Sequence, residues 1–273
     1  MSVSVLIPAY NVEHFIVETL DSVRAQSLQP EEIVVLDDAS TDRTVWVVGA
    51  WSNQHNFPVT LLRHKVNSGK SKTRRDLADY AKTCFVAFLS ADDVWHKDFL
   101  KETLPLANGN TAVFSEYYVC NENLSPKIIF TTPKQKIRSE IVKWALRKNM
   151  FVNFSCVVIP TRIFDTCQFQ NNLNYGEDLV FLLDTVIHKL VWQPIHKPLL
   201  YYRVHKGMGS FKTDKVTYNV AWCLIKVRLQ QLGVSMFTII TFFYYWQFRM
   251  KINKLLRILR TFAKRFPFSN HTN

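Results

Sequence analysis

The sequence is poor in glycine and cysteine for a chain of 273 residues. Its seven glycines form no glycine-rich phosphate loop, and this absence argues against a nucleotidyltransferase. Its five cysteines are odd in number and include no C-x-x-C pair, so neither a disulfide framework nor a zinc site is predicted. No basic segment precedes the first apolar run, 3–7, and we therefore expect no secretory signal and a reducing, cytoplasmic environment.

Acidic residues are absent after Asp214, although ten of the 34 Lys and Arg residues lie there. The first 214 residues are nearly neutral, with 24 basic and 22 acidic side chains. A body of low net charge with a strongly basic end predicts an anionic partner, either a nucleic acid or a membrane surface.

A long hydrophobic run is also missing from this basic end. Residues 229–248 carry no charge, but five Gln and Thr side chains dilute them, which is borderline for a membrane-spanning helix. Residues 249–266 place apolar side chains on one arc of a helical wheel and basic ones on the rest, as in helices that lie in a membrane interface. We therefore expect residues 229–266 to bind an anionic membrane surface and no nucleic acid, whose phosphates would leave the apolar arc unused. Packing of this arc on the body is the alternative.

Strand patterns alternate with helical patterns over the first half of the sequence. Apolar, β-branched runs predict strands at 3–7, 33–36, 59–62 and 85–89, and helical spacing predicts helices at 12–26, 44–51 and 70–82. Strands that are apolar on both faces are typical of a parallel sheet covered by helices on both sides. The α/β class is therefore predicted.

The pattern changes after residue 98. We expect strands at 112–118, 127–130, 156–159 and 199–204, helices at 139–147 and 178–188, and a loop between Pro194 and Pro198. This half predicts a mixed sheet built onto the first one. The chain is accordingly divided into a domain over 1–212, with halves of about 1–98 and 99–212, and a helical, basic region over 213–273.

Polar side chains follow the carboxyl ends of three predicted strands, at Asn11, Asp37-Asp38 and Asp92-Asp93. In open α/β sheets, ligands bind in the crevice at these ends. The motifs read, in order, PAYN at 8–11, DDASTD at 37–42, NSGK at 67–70, SADD at 90–93 and ED at 177–178. This ordered set resembles the family 2 glycosyltransferases over about residues 2–210.

The resemblance implies a GT-A fold, which is a Rossmann-like, mostly parallel sheet with helices on both faces and a mixed sheet in the acceptor half. It implies an inverting hexosyltransferase that moves a sugar from a nucleotide-sugar, a UDP-sugar first of all, to a saccharide or lipid-linked acceptor. Such enzymes build lipopolysaccharide or capsule polysaccharide. Together with the basic end, it implies a peripheral protein on the inner face of the cytoplasmic membrane.

The resemblance also assigns residues to the donor site. Asp38 matches the aspartate that reads the base, where a carboxylate accepts the N3–H of uracil or a ribose hydroxyl, and Arg74 matches an arginine that contacts the nucleotide. The aspartates could instead serve a turn or a helix cap. The full set predicted to bind the nucleotide-sugar is Pro8, Ala9, Tyr10, Asn11, Asp37, Asp38, Gly69, Arg74, Ser90 and Asp92.

A divalent cation, Mn²⁺ or Mg²⁺, is the cofactor that the resemblance implies. Asp93, Asp92 and His205 are the expected ligands, because hard cations take oxygen ligands from one or two carboxylates and from substrate phosphates. Ser90 stands where the family usually has an aspartate, which predicts a weaker contact to ribose. A surface-loop histidine and a helix-terminal aspartate pair are the structural alternatives.

Catalysis is assigned to the motif Glu177-Asp178, which matches the family's general base at the start of a helix. Inverting transfer needs a base that deprotonates the acceptor hydroxyl as this attacks the anomeric carbon. We expect Asp178 to be this base and Glu177 to position it, with a helix-capping role as the alternative. Two other functions stay open, namely a non-catalytic membrane-surface protein on a decayed GT-A scaffold and a nucleotidyltransferase.

Overall fold

The computed structural model describes residues 1–132, 152–171, 173, 175–208 and 215–241. The chain divides into two compact units, Met1–Arg228 and Leu229–Asn273. All strands named below lie in the first unit, which also holds every described side chain that the sequence predicts for the site.

Nine strands and six α-helices are described. The strands are β1 Val3–Ala9, β2 Glu32–Asp37, β3 Thr60–Arg63, β4 Phe85–Phe88, β5 Val94–Trp95, β6 Thr111–Cys120, β7 Pro126–Phe130, β8 Val157–Pro160 and β9 Val191–Arg203. The helices are α1 Ile16–Arg24, α2 Thr44–His55, α3 Lys70–Tyr80, α4 Phe99–Thr103, α5 Glu177–Ile187 and α6 Lys215–Gln231.

One mixed sheet contains all nine strands, in the order β3-β2-β1-β4-β8-β6-β9-β5, with β7 paired to β6. The first four strands pair in parallel, which confirms the prediction for the N-terminal half. From β8 onward the pairing is antiparallel except between β6 and β9. The second half therefore continues the first sheet, as the sequence predicts.

Burial explains why these segments fold as they do. The centre of β1 is fully buried on both faces, as its apolar run, interrupted only by the buried Ser4, requires. In α1, Ile16, Leu20 and Val23 are spaced to share one face, and all three are buried. Each such side chain stabilises the fold by about 1.5–3 kcal/mol relative to exposure.

The predicted loop between Pro194 and Pro198 is wrong, because β9 runs through both prolines. Pro194 lies opposite Phe114 in the parallel register with β6, and Pro198 lies opposite Glu116, between two shifts of that register. The prolines mark an irregularity in a long strand rather than its boundary. The helix predicted at 139–147 lies outside the described residues.

Among the helices of the described residues, none combines the length and apolar character needed to cross a bilayer. The described part of the 229–248 stretch ends at residue 241, and the amphipathic pattern at 249–266 lies outside the described residues. The membrane-surface interpretation therefore stays a prediction.

Candidate functional site

The carboxyl ends of β1, β2 and β4 meet at one edge of the sheet. Ala9 lies opposite Asp37 in the parallel register, and the next residue, Asp38, donates its backbone N–H to the carbonyl of Ala9 at 2.8 Å. The motif loops at 10–15, 38–43 and 89–93 all leave the sheet here. Pro8 and Ala9 themselves belong to β1, and the Tyr10 side chain is half exposed beyond it.

Two dipeptides at the ends of neighbouring strands bind each other side by side. Asp37 is buried and accepts hydrogen bonds at one oxygen, Oδ2, from Arg63 Nε and the Ser40 N–H, both at 3.1 Å. Asp38 is also buried, and its Oδ1 lies 2.7 Å from Nδ1 of His64. The Arg63-His64 pair thus holds the Asp37-Asp38 pair by its side chains.

The loop before α3 binds Asp38 from the other side. The N–H groups of Ser68 and Gly69 donate to the two oxygens of this carboxylate at 2.7 and 2.8 Å. Gly69 has φ +82°, in the region that favours glycine, so the backbone conformation explains why the motif has glycine at this position. The predicted residues Asp38 and Gly69 are therefore brought into direct contact.

Asn11 braces the loop that follows β2. Its side-chain oxygen accepts the N–H of Thr41 at 2.8 Å, and its own N–H donates to Oγ of Ser40 at 2.9 Å. Asn11 and Ala39 both have positive φ angles, of +51° and +59°. The loop that carries the two aspartates is consequently fixed from β1.

Asp93 is fully buried and turned into the protein. Its two carboxylate oxygens accept hydrogen bonds from Oγ of Ser155 at 2.7 Å and from the backbone N–H of Arg203 at 3.0 Å. Burial raises the pKa of Asp93 well above its usual range, and the neighbouring Asp92 raises it further. Asp93 therefore binds Ser155 and Arg203 in this structure, and its metal-ligand role stays a prediction.

Ser90 belongs to the same hydroxyl chain. Its Oγ lies 3.0 Å from Oγ of Ser155, and its N–H donates to that same Ser155 hydroxyl at 3.1 Å. A serine at position 90 is thus accommodated by a second serine. Ser155 joins the loop after β4 to the start of β8.

Asp92 points the other way from Asp93 and pairs with His205, whose Nε2 lies 3.0 Å from Oδ2 of Asp92. The His205 ring lies 4.5 Å from the ring of Phe15. The buried Arg203 guanidinium lies over the Phe15 ring, 4.9 Å from its centroid. It also binds the Asp92 carbonyl and the Glu18 carboxylate. The predicted residues Asp92 and His205 are therefore held together.

Glu177 starts α5 and is buried in an ion pair with two cations of α3. Its Oε1 lies 2.7 Å from Nζ of Lys70 and 2.8 Å from Nη1 of Arg74. Burial alone raises the pKa of Glu177, but Lys70 and Arg74 outweigh it and hold the pKa below the usual range. Glu177 therefore stays ionised beside Asp178.

Arg74 faces the protein interior rather than an open crevice. Its guanidinium lies 5.5 Å from the ring centre of Phe154 and 5.9 Å from that of Phe169. These rings belong to an aromatic cluster that also includes Phe88, Phe164 and Phe181. The structure thus gives Arg74 a contact to Glu177, and its contact to the nucleotide stays a prediction.

Asp178 is partly exposed, and burial and the charge of Glu177 raise its pKa to about 6. Burial raises the pKa of the Tyr202 hydroxyl, and Asp93, Asp92 and Asp178 all raise it further. The charges of these three carboxylates, from the SADD loop and from the start of α5, therefore act on the same phenol. A carboxylate with a pKa near 6 is suited to accept a proton at neutral pH.

Within the described ranges, no three His, Cys, Asp or Glu side chains converge in a way that could hold a metal ion. Asp92 and His205 offer one carboxylate and one imidazole at a mutual distance of 3.0 Å. This pair suits a cation that takes its other ligands from water and substrate phosphates. The donor set fits Mn²⁺ or Mg²⁺ only together with a bound diphosphate.

Four side chains of the site, His64, Lys70, Ser155 and Arg203, were not predicted from the sequence. Lys70 is the last residue of the NSGK motif and Arg203 lies two residues before His205, so their positions were an available signal. His64 and Ser155 contact residues 26 and 65 positions away, and no local pattern marks them.

Comparison with known sequences identifies relatives for most of the chain. A profile of the family described as Glycosyl transferase family 2 matches residues 4–166. The chain is 26% identical to the amylovoran biosynthesis glycosyltransferase AmsB of Erwinia amylovora, over the whole chain and 93% of that protein. It is 32% identical over 44% of its length to the UDP-Glc:alpha-D-GlcNAc-diphosphoundecaprenol beta-1,3-glucosyltransferase WfgD of Escherichia coli, of which it spans 47%.

Comparison with solved structures finds the same architecture. TarS of S. aureus in complex with UDP superposes with a TM-score of 0.63 at 21% identity, covering 84% of this chain and 65% of the solved one. The complex of TarS with UDP-GlcNAc gives 0.66 at 21% identity, covering 84% and 66%. The mixed sheet is therefore the GT-A fold.

Proposed function

The chain belongs to glycosyl transferase family 2, and from this premise we propose that it is an inverting transferase that uses a UDP-sugar. The acceptor in this proposal is a saccharide or lipid-linked glycan of a cell-surface polysaccharide. The observation that carries the proposal is Asp178 at the start of α5, its pKa raised to about 6 beside the buried Glu177 that Lys70 and Arg74 bind.

In the proposed reaction, Asp178 takes the proton of the acceptor hydroxyl. The acceptor oxygen then bonds to the anomeric carbon, and the bond between that carbon and the diphosphate oxygen breaks. Glu177 contributes by its fixed negative charge, which makes Asp178 more basic than an isolated aspartate. Lys70 and Arg74 keep Glu177 in place.

In this proposal the nucleotide-sugar binds at the carboxyl ends of β1 and β2. A carboxylate has about four acceptor positions, and Asp38 uses three of them for His64, Ser68 and Gly69. One position therefore remains for an N–H of the base. Asp92 and His205 would hold a divalent cation, which would neutralise charge on the departing diphosphate.

The relatives support the donor and acceptor classes of this proposal. The name of WfgD specifies a UDP-glucose donor and a lipid diphosphate acceptor, AmsB is named for polysaccharide synthesis, and TarS was solved with UDP and UDP-GlcNAc. We extend the proposal to a location on the inner face of the cytoplasmic membrane, supported by the basic, amphipathic pattern of 249–266.

The test of the proposed function combines binding and turnover. UDP, GDP and ADP are compared by thermal shift, and a panel of UDP-sugars is then assayed for release of UDP with Mn²⁺, with Mg²⁺ and with EDTA. We expect selective stabilisation by UDP and metal-dependent release. Stabilisation without release from any sugar, even with saccharide acceptors, would favour a non-catalytic binding protein, and release of pyrophosphate from a nucleoside triphosphate would favour a nucleotidyltransferase.

A further inference from the structure

We propose that His64 is a positioning residue for donor recognition, which orients the carboxylate of Asp38 toward the base of the nucleotide. This inference rests on the proposed function, since it concerns how the UDP moiety is bound. It assigns a role to a side chain that no motif of the sequence marks.

The first observation is the position of His64 in the sheet. Asp37 and Arg63 are partners in the parallel register of β2 and β3, so the residues that follow them, Asp38 and His64, leave the sheet side by side. The backbone N–H of His64 donates to the Asp37 carbonyl at 2.9 Å. The backbone at the ring is therefore fixed to the same dipeptide that its side chain contacts.

The second observation is that the imidazole is bound at both nitrogens. Nδ1 lies 2.7 Å from Oδ1 of Asp38, and Nε2 lies 2.8 Å from Oδ2 of Asp76 in α3. Asp76 is held in turn by Nζ of Lys72, at 2.6 Å and 3.0 Å from its two oxygens. The ring cannot turn away from Asp38 without losing the second contact as well.

The third observation is the division of the Asp38 oxygens. Oδ1 receives both His64 and the Ser68 N–H, whereas Oδ2 receives only the Gly69 N–H. His64 thus fills Oδ1 and leaves the open acceptor position on Oδ2. Without His64, the Asp38 carboxylate could rotate, and the N–H groups of Ser68 and Gly69 could then share its two oxygens differently. The N–H of the base would meet an acceptor oxygen whose position is less well defined.

Two substitutions separate the two contacts of the ring. Asparagine places its amide nitrogen at the same distance along the side chain as Nδ1, so His64→Asn keeps a donor for Asp38 and loses Asp76. Glutamine places its amide nitrogen as far out as Nε2, so His64→Gln keeps a donor for Asp76 and loses Asp38. The two variants are therefore matched controls for each other.

The experiment measures UDP binding by isothermal titration calorimetry and donor kinetics for the wild type and both variants. We expect His64→Gln to weaken UDP binding and raise the donor KM by ~10-fold, the effect of one lost hydrogen bond to a charged group, with kcat at saturating donor unchanged. His64→Asn should stay within about two-fold of wild type, since the donor to Asp38 is preserved. UDP methylated at N3 of uracil should bind wild type and His64→Gln equally weakly.

The outcomes distinguish this inference from the function on which it rests. Wild-type affinity for UDP in His64→Gln would overturn the role of His64 while leaving the transferase proposal standing. An equal loss for UDP and its N3-methyl form would also overturn it, because the effect would then bypass the base. A wild type that binds no nucleoside diphosphate would overturn both.

A second variant at the same position covers the case in which His64→Gln does not fold. His64→Leu removes the donors to both Asp38 and Asp76 and keeps a side chain of similar reach. A raised donor KM with unchanged kcat in His64→Leu supports the positioning role, and an unchanged KM overturns it.

Discussion

Arg74 and Glu177, which are 103 positions apart in the sequence, form a buried ion pair with 2.8 Å between Nη1 and Oε1. This pair joins α3 to the first residue of α5. It fixes the residue that precedes Asp178, the proposed base. The charge of Arg74 in the first half of the chain also acts on the pKa of Asp178 in the second half.

Glu177→Gln tests the contribution of this ion pair. The substitution removes the negative charge that raises the Asp178 pKa and leaves Arg74 and Lys70 without their counter-charge. Breaking one side of a buried pair typically costs about 3–5 kcal/mol of unfolding free energy. We expect a loss of this order in urea unfolding. The double variant Arg74→Met/Glu177→Gln should lose less than the sum of its single variants, and additive losses would contradict the coupling.

Asp178 sets the pH dependence of turnover in the proposed mechanism. Only the ionised carboxylate accepts a proton, so kcat/KM should fall as pH decreases through about 6. Asp178→Asn should lower kcat by ~10²–10⁴-fold and leave UDP affinity near wild type. A pH profile with its acid limb near pH 4 would contradict the raised pKa.

The same shift has a consequence for stability with a defined sign. The unfolded chain ionises Asp178 near its ordinary value of 3.8, whereas the folded protein ionises it at about 6. The folded state therefore holds the proton more tightly, and this residue lowers stability progressively as pH rises from about 4 to 6. Asp178→Asn should flatten the change in unfolding free energy over this window, measured by urea titration at each pH.

Asp92 and Asp93 should respond differently to substitution. Asp92→Asn removes a proposed metal contact, and we expect the Mn²⁺ concentration for half-maximal activity to rise by roughly 10- to 100-fold. Asp93→Ala leaves Ser155 and the Arg203 N–H without a buried acceptor, which should lower the unfolding free energy by about 1–3 kcal/mol. A stable Asp93→Ala protein with an Asp92-like metal defect would support the metal-ligand role that the sequence predicts for Asp93.

Ala39 occupies a left-handed conformation, with φ +59°, in the loop that carries Asp37 and Asp38. This conformation costs a non-glycine residue roughly 1–2 kcal/mol, and glycine costs about 0.4–1 kcal/mol through the unfolded chain. Ala39→Gly should therefore raise stability by up to about 1 kcal/mol, or a few degrees in Tm. The matched control is Ala50→Gly inside α2, which should lower stability by about 1 kcal/mol.

The basic end should bind membranes in a salt-dependent way. Seven Lys and Arg residues lie between Arg249 and Arg265, and each contributes about 1 kcal/mol near an anionic leaflet. The full chain should sediment with anionic liposomes at low salt and be released at high salt. A chain truncated after Leu232 should stay in the supernatant, and equal binding to neutral liposomes would favour insertion of the 229–248 stretch.

Parallel pairing over β1–β4 followed from apolar runs, because a strand buried on both faces leaves that pattern in one segment. Asp38 and Asp92 were predicted for the site because they follow such strands, and Gly69 because its motif resembles that of the family. The direction of Asp93 and the partner of Arg74 depend on Ser155 and Glu177, which come from elements far along the chain. Local patterns carry no record of such contacts, so these roles required the structure.

The stacking of Arg74 on Phe154 and Phe169 bears on how this enzyme could be re-engineered. The rings of this aromatic cluster form part of the hydrophobic core, and two of them also contact Arg74, the ion-pair partner of Glu177. A library that varies these rings would therefore change the surroundings of the Arg74–Glu177 pair, and with it the charge environment of the proposed base, in every member.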